Sequence, residues 1–337
     1  MISSKMTFIL GAGASKPYGF PLGNELVNRI CSELTFDISK LNSISLAAGI
    51  YINQDVSTIN FFAEYRLSHL ARILISLGYH PQEIDNFRKR LQLSLTPSID
   101  TFLEINKDLT DIGKICISYV LLLCESQSRS IFFDDSVNDH WYKYIWHKIS
   151  TPDFNELDGN NVSFITFNYD RSLEYFLVIV CSAMYNRSKD ECWEKIKKFN
   201  FIHLHGSLGY LKWQSTSDSV EYGLNFNIPK VNSDSAKFIN TIYENHLPKS
   251  SSFSEACDVL KNSNLIYSMG FGFNAQNIER LKLNEPPKNR VLCSRTGLTD
   301  NEARLVQNSY PSLHLVDRSD SQYWGCVEFL RNVVVLK

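Results

Sequence analysis

Four side chains in the middle of the chain, Asn168, Asp170, His203 and His205, are of types that take part in acid–base chemistry, and they lie at the ends of two short apolar runs. An imidazole titrates near neutral pH, so it can take a proton from a hydroxyl group and return it. A carboxamide offers both a donor and an acceptor, with which it can orient a water molecule or a ribose hydroxyl. This set of residue types favours a site that handles a polar substrate.

Each of these residues also has a purely structural interpretation. A lone histidine in a strand is most often a hydrogen-bonded core residue, and Asp170 can simply cap the helix that is predicted for residues 171–181. In a strand, His203 and His205 are two residues apart and therefore face the same side. Only His205 lies at the strand end, where the Gly-Ser pair that follows allows a ligand to come close to the imidazole. Asn168 is harder to explain as a cap, because it lies where the strand ends.

A third group of residues follows an apolar run near the start of the chain, at 8–10. It is the run of small residues Gly-Ala-Gly-Ala-Ser at 11–15, whose glycines permit a turn without a Cβ and whose serine adds a hydroxyl donor. Such a turn lets backbone N–H groups approach a phosphate, although a glycine pair after a strand is also common in a plain tight turn. The spacing G-x-G-x-S, with Pro17 soon after, differs from the dehydrogenase motif and predicts a longer loop with a Pro/Gly-rich flap at 21–24.

The apolar runs that precede these groups have the length of strands, and helical stretches separate them. Strands that alternate with helices indicate an α/β fold with a mainly parallel sheet. Ligands of such sheets bind beyond the carboxyl ends of the strands, so we expect the polar groups to share one site there. Gly270 and Gly272, beyond a later strand, are either loop residues or contacts for the second half of a dinucleotide. Besides the first strand, the predicted strands are 162–167, 201–205, 264–269, 290–293 and 313–316, and the predicted helices include 25–34, 171–181, 276–283 and one after Thr299.

The region from about 38 to 150 is largely helical by its pattern, and we predict a helical layer or insertion beside the sheet. A helix is expected within 59–77, another from Pro81, and a third that is capped by Ser98 or Asp100 and continues to Leu123. A further helix with an aromatic face is expected at 141–149. The apolar residues that predict the first of these helices are Phe62, Tyr65, Leu67, Leu70, Ile73 and Leu74.

The composition is that of a folded protein with one large or two modest domains. Of the 337 residues, 44% are hydrophobic and 21% are charged. These values are typical of folded proteins and not of disordered chains. The 34 basic and 36 acidic residues nearly balance, so no strongly basic field favours nucleic-acid binding. The longest apolar segment, 115–124, is shorter than the roughly 18 residues that a membrane helix needs.

The cysteines and the first residues bear on the compartment. The eight cysteines are scattered and form no C-x-x-C pair, which is typical of buried thiols in a reducing compartment and argues against a structural zinc site. The first apolar run has strand length and is shorter than the apolar core of a secretory signal. We therefore expect a cytoplasmic protein.

Taken in order, three segments resemble the signature segments of sirtuins: Gly-Ala-Gly-Ala-Ser at 11–15, Thr-Phe-Asn-Tyr-Asp at 166–170 and His-Gly-Ser at 205–207. The set is more similar to the sirtuin-like NAD-hydrolase domains of bacterial anti-phage defence proteins, which carry a similar Pro-x-Gly flap, here at 21–23. Further landmarks that this chain shares with them are Ser-Ile-Asp-Thr-Phe-Leu at 98–103 and Gly-Phe-Gly-Phe at 270–273.

This resemblance implies a Rossmann-like, sirtuin-type NAD-binding domain made of residues 1–37 and 151–337, with a helical subdomain inserted at 38–150. It implies hydrolysis of the nicotinamide–ribose bond of NAD to nicotinamide and ADP-ribose, through an oxocarbenium-like transition state and without a metal. Asn168 would orient the ribose or the water, His205 would act as the base, and Asp170 would support them. The residues implied to bind NAD are Gly11, Ala12, Gly13, Ser15, Pro21, Gly206, Ser207, Gly270 and Gly272.

Two departures from the sirtuin pattern count against an acyl-lysine substrate. No paired cysteines for a zinc module follow residues 205–207, and Phe167 stands where sirtuins have a glutamine. Two other functions stay open: a non-catalytic sensor of NAD or ADP-ribose, and a sirtuin-type protein deacylase or ADP-ribosyltransferase.

The resemblance also implies regulation, because uncontrolled loss of NAD would kill the host. It predicts an NAD-depleting effector of abortive infection that is restrained by self-assembly or by a partner. We therefore expect a homo-oligomer or a regulatory protein such as a HerA-type translocase ATPase or an Argonaute-like protein, with neither direct nucleic-acid binding nor a membrane.

Overall fold

The computed structural model describes residues 1–35, 67–223, 234–241, 251–285, 291–316 and 324–334. Within these residues, six strands form one sheet in which every neighbouring pair is parallel. This confirms the predicted α/β fold with a parallel sheet, and each strand lies within or close to its predicted range. The strands are β1 Met6–Leu10, β2 Val162–Thr166, β3 Phe201–His203, β4 Leu265–Met269, β5 Val291–Ser294 and β6 Leu313–Val316.

The order of the strands across the sheet is β3-β2-β1-β4-β5-β6. The chain builds the sheet outward from β1 in one direction and then returns to add β4 on the other side of β1. This is the Rossmann-like, doubly wound order, in which the direction of winding reverses between β1 and β4. The carboxyl ends of these two central strands therefore flank the crevice where proteins with this order hold their ligands.

A row of aromatic rings crosses one face of the sheet. Phe8 of β1 stacks on Phe164 of β2 at 5.6 Å between ring centroids and on Tyr267 of β4 at 5.7 Å. Phe164 stacks in turn on Phe201 of β3 at 5.2 Å. Because these residues are opposite one another in the strand register, four strands are held together by one continuous aromatic layer.

Helices cover both faces of the sheet, as predicted. Apolar residues of α2 to α9 and of α13 share one core with the aromatic row. The opposite face, which carries Ile9, Ile165 and Ile202, is covered by α10 and α11, with Val306 of α12 at its edge. The helices are α1 Ala12–Ser15, α2 Gly23–Glu33, α3 His69–Ser76, α4 Pro81–Leu93, α5 Ile99–Ile105, α6 Thr110–Ile131, α7 Trp141–Ile149, α8 Ser172–Tyr185, α9 Lys189–Ile196, α10 Ser251–Asn262, α11 Ala275–Arg280, α12 Asp300–Ser309 and α13 Cys326–Asn332.

The described part of the predicted helical region consists of α3 to α7, which pack on the aromatic face of the sheet. Ser98 caps α5 as predicted, since its hydroxyl accepts a hydrogen bond from the N–H of Thr101. The expected continuous helix from there to residue 123 is wrong. It breaks at Asn106, whose backbone leaves the helical region with φ −109° and ψ 67° while its side-chain amide donates to the carbonyl of Phe102 at 2.8 Å.

Part of the helical prediction falls on residues that the structure does not describe. The segment 59–66, with Phe62 and Tyr65, lies outside the described residues, and the described helix in this region is α3. The domain boundaries at residues 37 and 150 stay a prediction.

All eight cysteines are free thiols, and seven of them are buried, as their scattered apolar positions predicted. None of the helices in the part of the chain that the structure describes has the length and apolar character needed to cross a membrane.

A buried ion pair connects the helical layer to the sheet. The Nε and Nη2 atoms of Arg171, just before α8, donate to the two carboxylate oxygens of Glu125 in α6 at 3.0 and 2.6 Å. The guanidinium also donates to the carbonyls of Val220 and Glu221, and the carboxylate accepts from the N–H of Gly223. The two side chains are 1% and 0% exposed. One polar network therefore joins three segments that are far apart in sequence.

Removing one partner of this pair is expected to destabilise the protein strongly. Arg171→Met leaves the Glu125 carboxylate buried without its counter-ion and should lower the free energy of unfolding by about 3–5 kcal/mol. Urea unfolding followed by circular dichroism measures this loss.

The double variant R171M/E125L and an exposed pair serve as controls for that measurement. The double variant should lose less stability than R171M, because no isolated charge remains. Lys143→Met, which breaks the exposed pair with Asp135, should leave the unfolding midpoint unchanged. If R171M unfolded at the same urea concentration as the unmodified protein, the ion pair would not hold these segments together.

Candidate functional site

The segments after β1 and β2 meet in one hydrogen-bond network at the carboxyl edge of the sheet. The side-chain amide of Asn168 donates to the carbonyl of Gly11 at 3.0 Å and to the hydroxyl of Ser15 at 2.9 Å. The Ser15 hydroxyl donates in turn to the carboxylate of Asp170 at 2.9 Å. The structure thus brings together Gly11, Ser15, Asn168 and Asp170, which the sequence had assigned to one site.

The hydrogen bonds of Asn168 limit what its amide can offer to a ligand. Both of its N–H groups are used inside the protein, so the donor that the sequence suggested for a ligand is already engaged. The Oδ1 acceptor is the atom with which this amide can receive a hydroxyl or a water molecule. The backbone N–H of Asn168 donates to the Thr166 hydroxyl at 3.0 Å, which fixes the residue further.

Asp170 is both a helix cap and a link to the small-residue segment. Its Oδ1 accepts from the N–H of Ser172 at 3.2 Å and from the hydroxyl of the same residue, at the first position of α8. Its Oδ2 accepts from Ser15. Burial raises the pKa of the carboxyl group, and the hydrogen bonds from Ser172 and Ser15 oppose this rise. Asp170 therefore positions Ser15 and the start of α8. This is compatible both with the predicted supporting role and with the capping interpretation.

His205 lies next to this network, in an apolar environment. Its ring centroid is 5.8 Å from that of Phe167 and 6.5 Å from that of Tyr169, the two residues that flank Asn168. The ring of Phe253 in α10 contacts it from another side at 5.8 Å. The residue is 6% exposed. The ends of β2 and β3 are therefore adjacent, as one shared site requires.

The surroundings of His205 keep its imidazole neutral. Burial lowers its pKa to about 4, and the charge of Arg280 in α11 adds to the shift, while a hydrogen bond with Asn277 opposes it. The Arg280 guanidinium stacks on the Phe253 ring, with its central carbon 3.5 Å from the ring centroid. A neutral imidazole carries a lone pair on one ring nitrogen and is the form that can accept a proton near pH 7.

The prediction that His203 and His205 face the same side is wrong. The Nε2 atom of His203 lies 2.7 Å from the Glu174 carboxylate of α8, and its Nδ1 lies 2.9 Å from the Asn168 carbonyl oxygen. His205 instead contacts Phe253, on the opposite face. The reason is that β3 ends at His203 rather than at His205, so the alternation of side chains stops before the second histidine.

The glycines after β1 pack against the end of β4. The N–H groups of Gly11 and Gly13 donate to the carbonyls of Met269 and Gly270 at 3.0 Å each, so these two donors are already used within the protein. A Cβ on Gly13 would lie 2.7 Å from the Cα of Gly270. The expected longer loop is instead the single turn α1 followed by a 3-10 turn at Lys16–Tyr18. Close approach of β1 and β4 thus gives the small residues a packing role.

The Gly-Ser pair after His205 makes room for the chain itself. Gly206 has φ +73°, and a Cβ there would overlap the carbonyl oxygen of Phe238, whose segment forms a bridge to it. Ser207 interacts locally with Gly209. The expected approach of a ligand to the imidazole over Gly206 is therefore blocked on this side by residues 234–241. Gly272, by contrast, has no neighbour within 4 Å of an added Cβ among the residues that the structure describes.

The flap and the landmark at 98–103 are also joined to the site. Pro21 is buried, and a Cβ on Gly23 would lie 3.0 Å from the carbonyl oxygen of Pro97, so the flap packs on the start of α5. The hydroxyl of Tyr169 donates to the carboxylate of Asp100 in the same helix. The helical layer thus contacts both the flap and the turn that carries Asn168.

Several residues that position the site were missed by sequence reasoning. The indole N–H of Trp141 donates to the carbonyl of Ala14 at 2.7 Å, and the Tyr142 hydroxyl lies 2.6 Å from that of Ser172. The sequence did contain a sign of these contacts: the predicted helix at 141–149 has Trp and Tyr side chains, whose N–H and O–H groups need hydrogen-bond partners when they are buried. Glu125 had a similar signal, because it is a charged residue at the end of an apolar run.

The fold and the site define a doubly wound α/β protein with a polar network at the carboxyl edge of its two central strands. Within the described ranges, no group of three or more His, Cys, Asp or Glu side chains could hold a metal ion. No model of a known protein family matches this chain, and the comparison with curated proteins also gives no match.

The tight contact between β1 and β4 generates a prediction about two neighbouring glycines. Gly270 has φ +61°, and a Cβ there would overlap the backbone at Ala14, so Gly270→Ala should lower the free energy of unfolding by at least about 1–3 kcal/mol. Gly272→Ala is the matched control, because no described residue lies within 4 Å of its added Cβ. Thermal unfolding of the two variants measures the difference. Equal midpoints would mean that β1 and β4 can separate at little cost.

Proposed function

We propose that this protein is an NAD hydrolase that cleaves the nicotinamide–ribose bond and releases nicotinamide and ADP-ribose. The observation that carries the proposal is the hydrogen-bonded unit of Gly11, Ser15, Asn168 and Asp170 with a neutral imidazole beside it. It lies at the carboxyl edge of the sheet, next to the point between β1 and β4 where proteins with this strand order bind dinucleotides. Its members belong to the three segments that resemble those of sirtuin-like NAD hydrolases.

The chemistry that we propose needs few groups. Nicotinamide leaves from a cationic ring as a neutral molecule, so the enzyme does not have to protonate it. The ribose gains positive charge in the transition state, as in glycoside hydrolysis. The Oδ1 atom of Asn168 would accept a hydrogen bond from a ribose hydroxyl or from the attacking water. His205 would take the proton of that hydroxyl or water as a general base.

Asp170 and Ser15 would act on the reaction through Asn168. The Asp170 carboxylate accepts from Ser15, and Ser15 accepts from the Asn168 amide, so this chain fixes which way the Oδ1 atom points. We keep the nine implied NAD-binding residues in the same proposal, within two limits: the N–H groups of Gly11 and Gly13 are engaged with the end of β4, and Gly206 is covered by residues 234–241. Gly272 has space beside it within the described part of the chain, which suits a contact with the second half of the dinucleotide.

We further propose that the hydrolase is a regulated effector that depletes NAD in anti-phage defence. The low exposure of His205 supports this, because a base enclosed by Phe167, Tyr169 and Phe253 has little access to substrate. A partner protein or self-assembly would then supply the trigger. The same burial favours the second candidate, a non-catalytic sensor of NAD or ADP-ribose.

Loss of either catalytic side chain is expected to abolish most hydrolysis. Asn168→Ala and His205→Ala should each lower the rate by on the order of 10²–10⁴, because each removes a positioned polar or acid–base group. Release of nicotinamide from NAD is followed by chromatography, for the protein alone and together with the products of neighbouring genes.

His147→Ala is the control for these variants, since His147 is an exposed residue of α7. It should hydrolyse NAD like the unmodified protein. If the unmodified protein bound NAD but released no nicotinamide in any combination, and binding survived His205→Ala, the sensor function would replace the hydrolase.

The pKa of His205 predicts the acid side of the pH profile. Because burial lowers this pKa from 6.5 to about 4, the imidazole stays neutral and able to accept a proton until the pH falls to about 4. The value of kcat/KM should therefore show no loss between pH 7 and 5.5 and should fall only near pH 4. Initial rates across this range, with circular dichroism to verify folding, test the point. A fall centred at pH 6.5 would contradict the buried environment of His205.

A further inference from the structure

His203 connects the turn after β2 to the helix that follows it. Its Nδ1 lies 2.9 Å from the carbonyl oxygen of Asn168, and its Nε2 lies 2.7 Å from the Oε1 of Glu174. The side chains of His203 and Glu174 are 14% and 6% exposed. A carbonyl and an ionised carboxylate are both acceptors, so an imidazole that donates to both must carry a proton on each nitrogen.

The charges around His203 favour this doubly protonated form. Burial lowers the pKa of the imidazole, but the charge and hydrogen bond of Glu174, the Asn168 carbonyl and the charge of Asp170 outweigh it, and the pKa is raised above 6.5. The carboxylates that raise this pKa are Glu174 in α8 and Asp170 in the turn before it. Burial also lowers the pKa of His205, and there the charge of Arg280 adds to the shift instead of opposing it.

We infer that His203 is a positioning residue for the proposed hydrolysis, which holds Asn168 by its backbone carbonyl while Glu174 anchors the imidazole. This inference rests on the proposed function. Asn168 is then fixed at three places: its N–H by Thr166, its side-chain amide by Gly11 and Ser15, and its carbonyl by His203. His203 has no contact with the reacting atoms in this scheme. It acts by holding the Oδ1 atom of Asn168 in the position from which this atom would accept a hydrogen bond from the ribose or the water.

Two substitutions of His203 separate its two hydrogen bonds. The amide nitrogen of asparagine takes the position of Nδ1 in histidine, whereas the amide nitrogen of glutamine takes the position of Nε2. His203→Asn therefore keeps the donor to the Asn168 carbonyl and gives up Glu174. His203→Gln keeps the contact with Glu174 and leaves the Asn168 carbonyl without its donor.

The two variants are expected to differ in kcat. A displacement of about 1 Å at a positioning group can cost on the order of 10²-fold in rate, so H203N should exceed H203Q in kcat by at least about tenfold. The KM for NAD should change much less than kcat, because the residue does not touch the substrate. Urea unfolding of both variants verifies that they fold. Equal kcat values for H203N and H203Q would overturn the inference.

A substitution of Glu174 tests the charge of the imidazole. In the unmodified protein, kcat should fall as the pH rises through the raised pKa of His203, because a neutral ring keeps its proton on Nε2, next to the Glu174 carboxylate, and turns a lone pair toward the Asn168 carbonyl. The amide of Glu174→Gln can donate to an unprotonated Nε2, so a neutral ring can carry its proton on Nδ1 and still donate to the Asn168 carbonyl. E174Q should therefore keep its activity to higher pH than the unmodified protein. An alkaline limb at the same pH in both proteins would contradict this.

An assay without substrate separates this inference from the proposed function. The side-chain amide protons of Asn168 are measured by ¹⁵N NMR in the unmodified protein, in H203N and in H203Q. Slow exchange with solvent is expected in the first two and faster exchange in H203Q. If the unmodified protein hydrolyses no NAD, the proposed function fails, but the exchange rates still show whether His203 positions Asn168. Identical exchange in all three proteins would overturn it.

Discussion

The buried ion pair of Arg171 and Glu125 is the contact on which the arrangement of the site depends. An isolated charge in the interior costs several kcal/mol, so these two side chains have to stay together. Arg171 belongs to the turn after β2, Glu125 to the helical layer, and the carbonyls of Val220 and Glu221 to the segment after β3. A displacement of the helical layer would therefore also move the turn that carries Asn168.

The turn between β2 and α8 is constrained from both faces of the sheet. On one side, His203 and Glu174 hold its backbone, and Tyr169 reaches Asp100 in the helical layer. On the other side, the ring of Phe167 stacks on that of Phe271 at 5.1 Å, near the imidazole of His205. Two histidines two residues apart thus have opposite electrostatic properties: one is stabilised as a cation by a carboxylate, and the other is kept neutral by burial beside a guanidinium.

The small residues at 11–15 have a second physical cause besides their proposed contact with a phosphate. The ends of β1 and β4 approach so closely that side chains at Gly11, Gly13 and Gly270 would collide with the facing backbone. This contact occurs where the winding of the sheet reverses, so a tight backbone fit and the proposed dinucleotide crevice share one place. A motif of small residues at this position is therefore a weaker sign of a ligand than the polar network beside it.

The sequence by itself determined the elements and the edge of the sheet at which the polar residues gather. Apolar runs that end in glycine or polar residues are local signals, so β1 to β6 and helices such as α7 were predictable. Only the tertiary structure decided which side chains meet. Glu174 and His203 are 29 residues apart, and Glu125 and Arg171 are 46 residues apart. The orientation of His205 depended on where β3 ends, next to the segment that packs against Gly206. Which side chains pair, and in which direction each one points, follow from packing between segments that are distant in sequence. A local sequence pattern therefore cannot predict them.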